Sequence, residues 1–307
     1  MSKLLLSAGA TPSTTRTKLD HALGPISADD QEAAADEPGT LGALVRAYVA
    51  AQCDVLASND VGLRNGAPVV HKTRVAARRL RSTLRVFDDV FGEEPAQELN
   101  NELSWYAELL GQVRDREVLN ARLTQHIADL PSEQVRGPVE AEITKTLAAE
   151  RDDALQRLGR GMRSRRYQHL LKLLRSWKSA PPLSAAADRK GETAAQYVKR
   201  AKQKANKRLR SADGDIEQLH RARKATKRLR YAAELVEPAD GTMKSVAKKA
   251  ENLQTLLGEH QDAVVSAQFL ANLSGSRNGE SGDGFTYGIL IADELHRAAA
   301  IREALAK

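Results

Sequence analysis

A row of cationic side chains along one segment, from Val69 to Phe87, most constrains how this chain can fold. The segment reads VVHKTRVAARRLRSTLRVF, and its apolar residues have the spacing of an amphipathic helix. Spacings of three and four residues place five basic residues on one face: His71, Arg74, Arg78, Arg81 and Arg85. Leucine, alanine and phenylalanine fall on the opposite face. The pattern predicts a helix that packs on a core with one face and presents positive charge with the other.

This positive charge is not balanced locally, since no Asp or Glu lies between Val69 and Phe87. Like charges one turn apart destabilise a helix by about 0.2–0.5 kcal/mol per pair, so the arginine pairs together cost roughly 1 kcal/mol. A solvated helix usually mixes charges of both signs. The unmixed face leaves two interpretations, namely acidic partners from elsewhere in the fold or an anionic ligand.

A second segment repeats the pattern 149 residues further along the chain. It reads LHRARKATKRLRYAAELV, and its basic face is formed by His220, Arg223, Lys227 and Arg230. The repetition favours the anionic ligand. It also predicts two related halves, 38–180 and 190–305, whose basic helices face one shared groove.

Each half also contains a Leu-Leu-Gly sequence with an aspartate four residues after the glycine. The pairs are Gly111 with Asp115 and Gly258 with Asp262. The equivalent positions indicate that the two aspartates have the same role. We expect each of them to cap a helix or to pair with an arginine of the basic face.

Composition restricts the fold class and the partners. Aromatic residues are 4% of the 307 residues, while Ala, Leu and charged residues dominate, which favours an all-α protein built from helical bundles. The net charge of +7 favours a polyanionic partner. Cys53 is the only cysteine, which excludes an internal disulfide and a cysteine-based zinc site and indicates a reducing cytoplasm. No apolar run is long enough to span a membrane.

Ten helices are predicted after a flexible tail that covers residues 1–37. Pro68 is expected in the first turn of the first basic helix, and the residues DGD at 213–215 are expected to provide a turn and an N-cap. A flexible segment is expected at 274–284. The predicted helices are 41–58, 69–87, 96–130, 135–159, 164–178, 193–210, 219–236, 243–257, 260–273 and 285–305.

Five motifs in this order resemble the CHAD family, the conserved histidine α-helical domain. They are VHKTRVAARRLRSTLRVF, LLGQVRD, SRRYQHLLKLLRSW, LHRARKATKRLRYAAEL and LLGEHQD. The resemblance covers residues 38–305. It implies two pseudo-symmetric helical bundles that bind inorganic polyphosphate in a basic central cavity, and association with polyphosphate granules.

The resemblance also implies which residues bind the ligand. Arg85 corresponds to Glu234 in the second half, and Glu234 is expected to pair with Arg230 one turn earlier. The basic helix at 193–210 adds three candidates, although its charges also fit a solvated face. The full predicted polyphosphate-binding set is His71, Arg74, Arg78, Arg79, Arg81, Arg85, Lys204, Lys207, Arg208, His220, Arg223, Lys227, Arg228 and Arg230.

Two other functions fit parts of the pattern. A nucleic-acid-binding helical protein would use the same charge, but the basic faces lack the aromatic residues that stack on bases. A histidine phosphotransfer enzyme would use His71 but would not need so many arginines. We expect no catalytic residue, cofactor or metal, and we expect polyphosphate as the partner, with nucleic acid as the secondary candidate. The sequence leaves the oligomeric state open.

Overall fold

The computed structural model describes residues 39–212, 214–275 and 284–306, and these residues are almost entirely helical. Between them they form nine α-helices joined by short 3-10 turns and loops, with isolated bridges but no strand, so the predicted all-α class is confirmed over the described chain. The helices are α1 Leu41–Arg64, α2 Val70–Val86, α3 Glu93–Ala128, α4 Val139–Met162, α5 Arg165–Ser179, α6 Ala194–Arg210, α7 Ile216–Val236, α8 Met243–Gly275 and α9 Gly284–Ala306.

Side-chain caps fix where several helices begin. Thr40 and Ser164 accept hydrogen bonds from backbone N–H groups in the first turns of α1 and α5, at 3.2 Å in each case. Asp215 accepts from the N–H of Gln218 at 2.8 Å, which confirms the N-cap predicted before the second basic helix. Gly214, with a φ of +74°, makes the turn in front of it.

Several predicted helix ends are wrong by a few residues. Helix α1 continues to Arg64, and Pro68 lies before the first residue of α2 instead of in its first turn. Helix α4 begins only at Val139, because Pro138 and the positive φ of Gly137 keep the preceding backbone out of the helix.

The predicted break near Gly258 does not exist, since α8 is continuous from Met243 to Gly275. A glycine inside a helix costs roughly 1 kcal/mol relative to alanine. Buried apolar residues on both sides of the glycine, among them Leu257 and Ala263, offset that cost. The predicted tail and most of the predicted flexible segment at 274–284 lie outside the described residues.

The main hydrophobic core contains residues from both predicted halves. Helix α2 contributes Ala77 and Leu80, and α7 contributes Leu229 and Ala233, all of them buried. A second core contains residues of α3, α4, α8 and α9. The two basic helices therefore pack against each other with their apolar sides in one shared core. None of the described helices has an apolar stretch long enough to cross a bilayer.

Candidate anion-binding site

Direct polar contacts join the basic helices α2 and α7. Arg78 Nη2 donates a hydrogen bond to the Tyr231 hydroxyl at 3.2 Å. The guanidinium groups of Arg78, Arg79 and Arg230 lie 6.0, 5.6 and 5.9 Å from the centre of the Tyr231 ring. Tyr231 is buried, so its ring and hydroxyl hold cations from both helices in fixed positions.

One arginine of each basic helix, three residues after the histidine, lies against the glycine of its own half. A Cβ atom added to Gly111 would lie 3.5 Å from the Arg74 guanidinium, and one added to Gly258 would lie 3.5 Å from that of Arg223. The missing side chains let each guanidinium approach the helix backbone. Arg74 also forms an ion pair with Asp115 at 3.2 Å, which confirms the pairing predicted for this aspartate.

The structure brings four predicted cations together, and we name them the central cluster: Arg74 and Arg78 of α2 with Arg223 and Lys227 of α7. Burial, followed by the charges of the three arginines, lowers the pKa of Lys227 to about 6. Burial also lowers the pKa of Arg78, and Arg74 and Arg223 lower it further. The central cluster therefore contains positive charge that the fold does not neutralise.

Acidic groups near the central cluster are few. Asp115 pairs with Arg74 but is more than half exposed. Asp262 lies near Arg223 and Lys227, and burial raises the pKa of its carboxyl group. The Nε atom of Arg223 is buried with no hydrogen-bond partner among the described residues. Donors in this cluster therefore remain available to an anion.

The two predicted histidines lie at the amino-terminal ends of the basic helices, beside the central cluster. His71 is exposed, and partial burial together with Arg114 and Arg74 lowers its pKa. His220 lies with Nδ1 3.2 Å from Gln261 Oε1, and burial and Lys224 lower its pKa. The surroundings of both imidazoles therefore favour the neutral form in the absence of an anion.

Two other predicted ligand residues, Arg79 and Arg230, share one acidic partner within the protein. Arg79 donates two hydrogen bonds to Glu234, at 3.1 and 2.8 Å. Arg230 donates to Glu234 at 2.8 Å, as predicted, and pairs with Glu251 at 3.0 Å. We name these four residues the paired network. The Arg79 pair joins α2 to α7. The Arg230 pairs lie within α7 and between α7 and α8.

Four further predicted residues form a separate group, which we name the lateral cluster: Arg81, Arg85, Arg208 and Arg228. Burial, followed by the charge of Arg85, lowers the pKa of both Arg81 and Arg228. Beside this cluster is a cavity of about 640 Å³, lined by Lys204 among other residues. Lys207 is exposed on α6. Most of the predicted residues thus belong to the central cluster, the paired network or the lateral cluster, and the remaining four are His71, His220, Lys204 and Lys207.

A family model described as the CHAD domain matches residues 47–271 of the chain. The chain belongs to the CHAD domain family. Two curated relatives, the uncharacterized proteins Rv2226 and MT2285 of Mycobacterium tuberculosis strains H37Rv and CDC 1551, are each 34% identical to it over 313 residues. The alignments cover 98% of this chain but 58% of each relative, so the CHAD protein described here spans little more than half of their length.

Two solved structures share the CHAD fold. The CHAD domain from the plant Ricinus communis is 28% identical, with a TM-score of 0.67 over 92% of this chain and 96% of that one. PptA from Streptomyces chartreusis is 21% identical, with a TM-score of 0.72 over 87% of this chain and 98% of that one. The second likeness shows the fold alone.

Some residues near the clusters were not among the predicted ligand residues. Arg200 lines the cavity beside the lateral cluster, and Arg114 lies close to His71. The sequence contained a signal for Arg200, because it precedes Lys204 and Arg208 at helical spacings of four residues. Arg114 gave no such signal, since it lies on α3 and only the tertiary fold brings it to the histidine.

Proposed function

We propose that this CHAD domain binds inorganic polyphosphate at the central cluster and is not an enzyme. The proposal rests on four basic residues that converge from two helices, Arg74, Arg78, Arg223 and Lys227. Two carboxylates lie near these four residues. Membership of the CHAD family supports the same ligand. Association with polyphosphate granules would follow from this binding.

Polyphosphate suits such a cluster because its charges are dense and the chain is thin. An arginine guanidinium can donate to two phosphate oxygens at once, and the cluster holds three of them. Each charge-assisted hydrogen bond contributes about 1.5–3 kcal/mol, which exceeds the repulsion between neighbouring cations of an empty helix face. Bound phosphates would also relieve that repulsion.

A binding role accounts for the cluster better than catalysis does. The partly buried Lys227 lies beside three arginines, and the described site residues include no nucleophile with an adjacent general base. The histidines have lowered pKa values and lie beside cations, so they can donate to phosphate or take up a proton when phosphate binds.

The test is a binding titration with labelled long-chain polyphosphate on the full chain. Replacing Arg78 and Lys227 with glutamine should weaken binding at least tenfold, since each loses a charge-assisted contact. The matched control replaces Arg165 and Lys172 of α5, one exposed arginine and one exposed lysine, with glutamine. Circular dichroism should show unchanged helix content in both variants.

The proposal fails if the Arg78 and Lys227 variant binds polyphosphate as the wild type does. It also fails if the control variant loses as much affinity, because binding would then follow the net charge and not the cluster. A loss confined to the cluster variant supports the proposal.

A further inference from the structure

The repeat relates the paired network to the lateral cluster, but the charges of the two groups differ. Each group contains residues from both halves. With the offset of 149 residues that relates the histidines, Arg79 corresponds to Arg228, Arg81 to Arg230 and Arg85 to Glu234. In the paired network the acid neutralises two arginines. In the lateral cluster Arg85 takes the place of Glu234. Arg81, Arg85 and Arg228 therefore lie together without that acidic partner.

Other parts of the described structure do not supply an acidic partner to the lateral cluster either. In the part of the chain that the structure describes, none of its four arginines forms an ion pair with an aspartate or a glutamate. The Nε atom of Arg81 is buried without a hydrogen-bond partner among those residues. Arg81 and Arg228 are partly buried, while Arg85 and Arg208 are exposed. An anion that reaches this cluster can supply the acceptor that the buried Nε atom of Arg81 lacks.

The adjoining cavity gives such an anion a place. It has a volume of about 640 Å³, within the range of sites for small ligands, and lies between α2, α3, α6 and α7. Four cations line it, namely Arg85, Arg200, Lys204 and Arg228, against the carboxylates of Asp88 and Glu93.

An uncharged polar group also lines this cavity. The side chain of Asn100 is nine-tenths buried, and its Oδ1 atom has no hydrogen-bond partner in the described structure. A buried carbonyl oxygen without a donor is costly unless a ligand or water donates to it. As an acceptor it does not bond to a phosphate oxygen, but it can accept from a water molecule or from a hydroxyl or amino group that carries the phosphates. The converging cations alone therefore provide the contacts to the phosphate oxygens.

We propose that this cavity is a second phosphate-binding site, distinct from the central cluster, which takes a short oligophosphate group. The group can come from a free oligophosphate or from the phosphate tail of a nucleotide. In either case its oxygens accept from Arg85 and Arg228 on one side and from Arg200 and Lys204 on the other. The proposal does not depend on the binding of long-chain polyphosphate at the central cluster.

The test is calorimetric titration of the full chain with tripolyphosphate and with ATP. Arg85→Glu places a carboxylate where the other half has Glu234, so this variant should fold and neutralise Arg81 and Arg228. We expect it to weaken tripolyphosphate binding about tenfold or more. A second variant, Arg200→Gln with Lys204→Gln, removes exposed cations on α6 and should also weaken it.

The comparison of ATP with tripolyphosphate shows whether the bound group comes from a nucleotide or from a free oligophosphate. Tighter binding of ATP than of tripolyphosphate, lost in both cavity variants, supports the site and assigns it to nucleotides. Equal or weaker binding of ATP, with the same losses, supports the site and assigns it to free oligophosphate. Binding of both ligands that the cavity variants leave unchanged overturns the proposal.

The variant of the central cluster, Arg78→Gln with Lys227→Gln, separates this inference from the proposed function. It should retain tripolyphosphate binding that Arg85→Glu then removes. If the central variant alone abolishes tripolyphosphate binding, the second site is overturned while the proposed function stands. If long-chain polyphosphate does not bind but the cavity variants still lose tripolyphosphate, the proposed function fails and the second site stands.

Discussion

Arg79 of α2 donates both Nε and Nη2 to one carboxylate oxygen of Glu234 on α7, at 3.1 and 2.8 Å. Burial alone would lower the pKa of Arg79, but the Glu234 carboxylate offsets this effect and raises it. The ion pair thus joins the two basic helices from one half to the other. Its position shows that part of the charge in the basic repeat holds the fold together.

Glu234→Gln should destabilise the protein by about 1–3 kcal/mol, because Arg79 and Arg230 would both lose their charged acceptor. Urea unfolding would measure the loss. Asp54→Asn is the matched control, since its ion pair with Lys178 is more than half exposed on both sides and should contribute about 0–1 kcal/mol. Equal effects of the two substitutions would contradict a structural role for the Arg79 pair.

Polyphosphate binding should be coupled to proton uptake by Lys227. Burial and the charges of Arg78, Arg223 and Arg74 lower its pKa to about 6, and Asp262 opposes them, so the amine is neutral in the free protein at pH 7 to 8. An anion beside it favours the protonated form. Affinity should therefore fall as pH rises above about 6, by at most about tenfold per pH unit for one proton.

Calorimetry in buffers of different ionisation enthalpy measures this proton uptake. Lys227→Arg is the matched variant, because it keeps a cation that needs no added proton. It should retain binding and show less proton uptake than the wild type. Proton uptake that is the same in both proteins would rule out Lys227 as its source and point to His71 or His220.

The glycines that face the basic helices should tolerate alanine but not leucine. A Cβ atom at Gly111 or Gly258 would lie in ordinary contact with the arginine guanidinium, and alanine should stabilise each helix by about 0.5–1 kcal/mol. Leucine would displace the guanidinium of Arg74 or Arg223 and weaken polyphosphate binding. Thermal unfolding and binding titrations test both parts, and leucine variants with wild-type affinity would contradict the account.

His126 should make stability depend on pH. Its Nε2 atom lies 3.1 Å from Asp293 and its Nδ1 atom 3.3 Å from Glu294, and the Glu294 carboxylate raises its pKa although burial opposes this. A raised folded pKa adds stability at low pH, which is lost as pH rises through that pKa.

His126→Gln should therefore cost about 1–3 kcal/mol at about pH 5.5 and less at about pH 8.5. Urea unfolding at the two pH values measures the difference. His169→Gln is the control, because the pair of His169 with Glu98 is about half exposed and should have a small effect at both. A cost for His126→Gln that does not change with pH would exclude the proton as its cause.

Local periodicity predicted most of the helices, because the spacing of apolar residues and the caps are local properties of the chain. Asp215 was predicted correctly as a cap for that reason. The continuous α8 was not predicted, since burial on both sides of Gly258 is a tertiary property. Pro68 was misplaced because its preference for the first turn does not determine where that turn begins.

The sequence also predicted a single cationic face on α2, which the fold divides among different environments. Arg78 meets Lys227 and Tyr231, whereas Arg81 and Arg85 meet Arg228. Periodicity gives the face of a helix on which a residue lies, but not which residues of another helix oppose it. The pairing of Arg79 with Glu234 could for the same reason not be predicted, although that of Arg230 with Glu234, four residues apart on one helix, could.

The competition between polyanions tests the central claim most directly. Labelled long-chain polyphosphate bound to the full chain is displaced with unlabelled polyphosphate, single-stranded or duplex nucleic acid, or heparin, at two salt concentrations. For a single-stranded polyanion the logarithm of affinity changes by about −0.7 per phosphate neutralised, so the salt dependence also gives a contact number. We expect polyphosphate to compete at a much lower phosphate concentration than nucleic acid does. Equal displacement by every polyanion would contradict a site fitted to polyphosphate and leave general electrostatic attraction as the explanation.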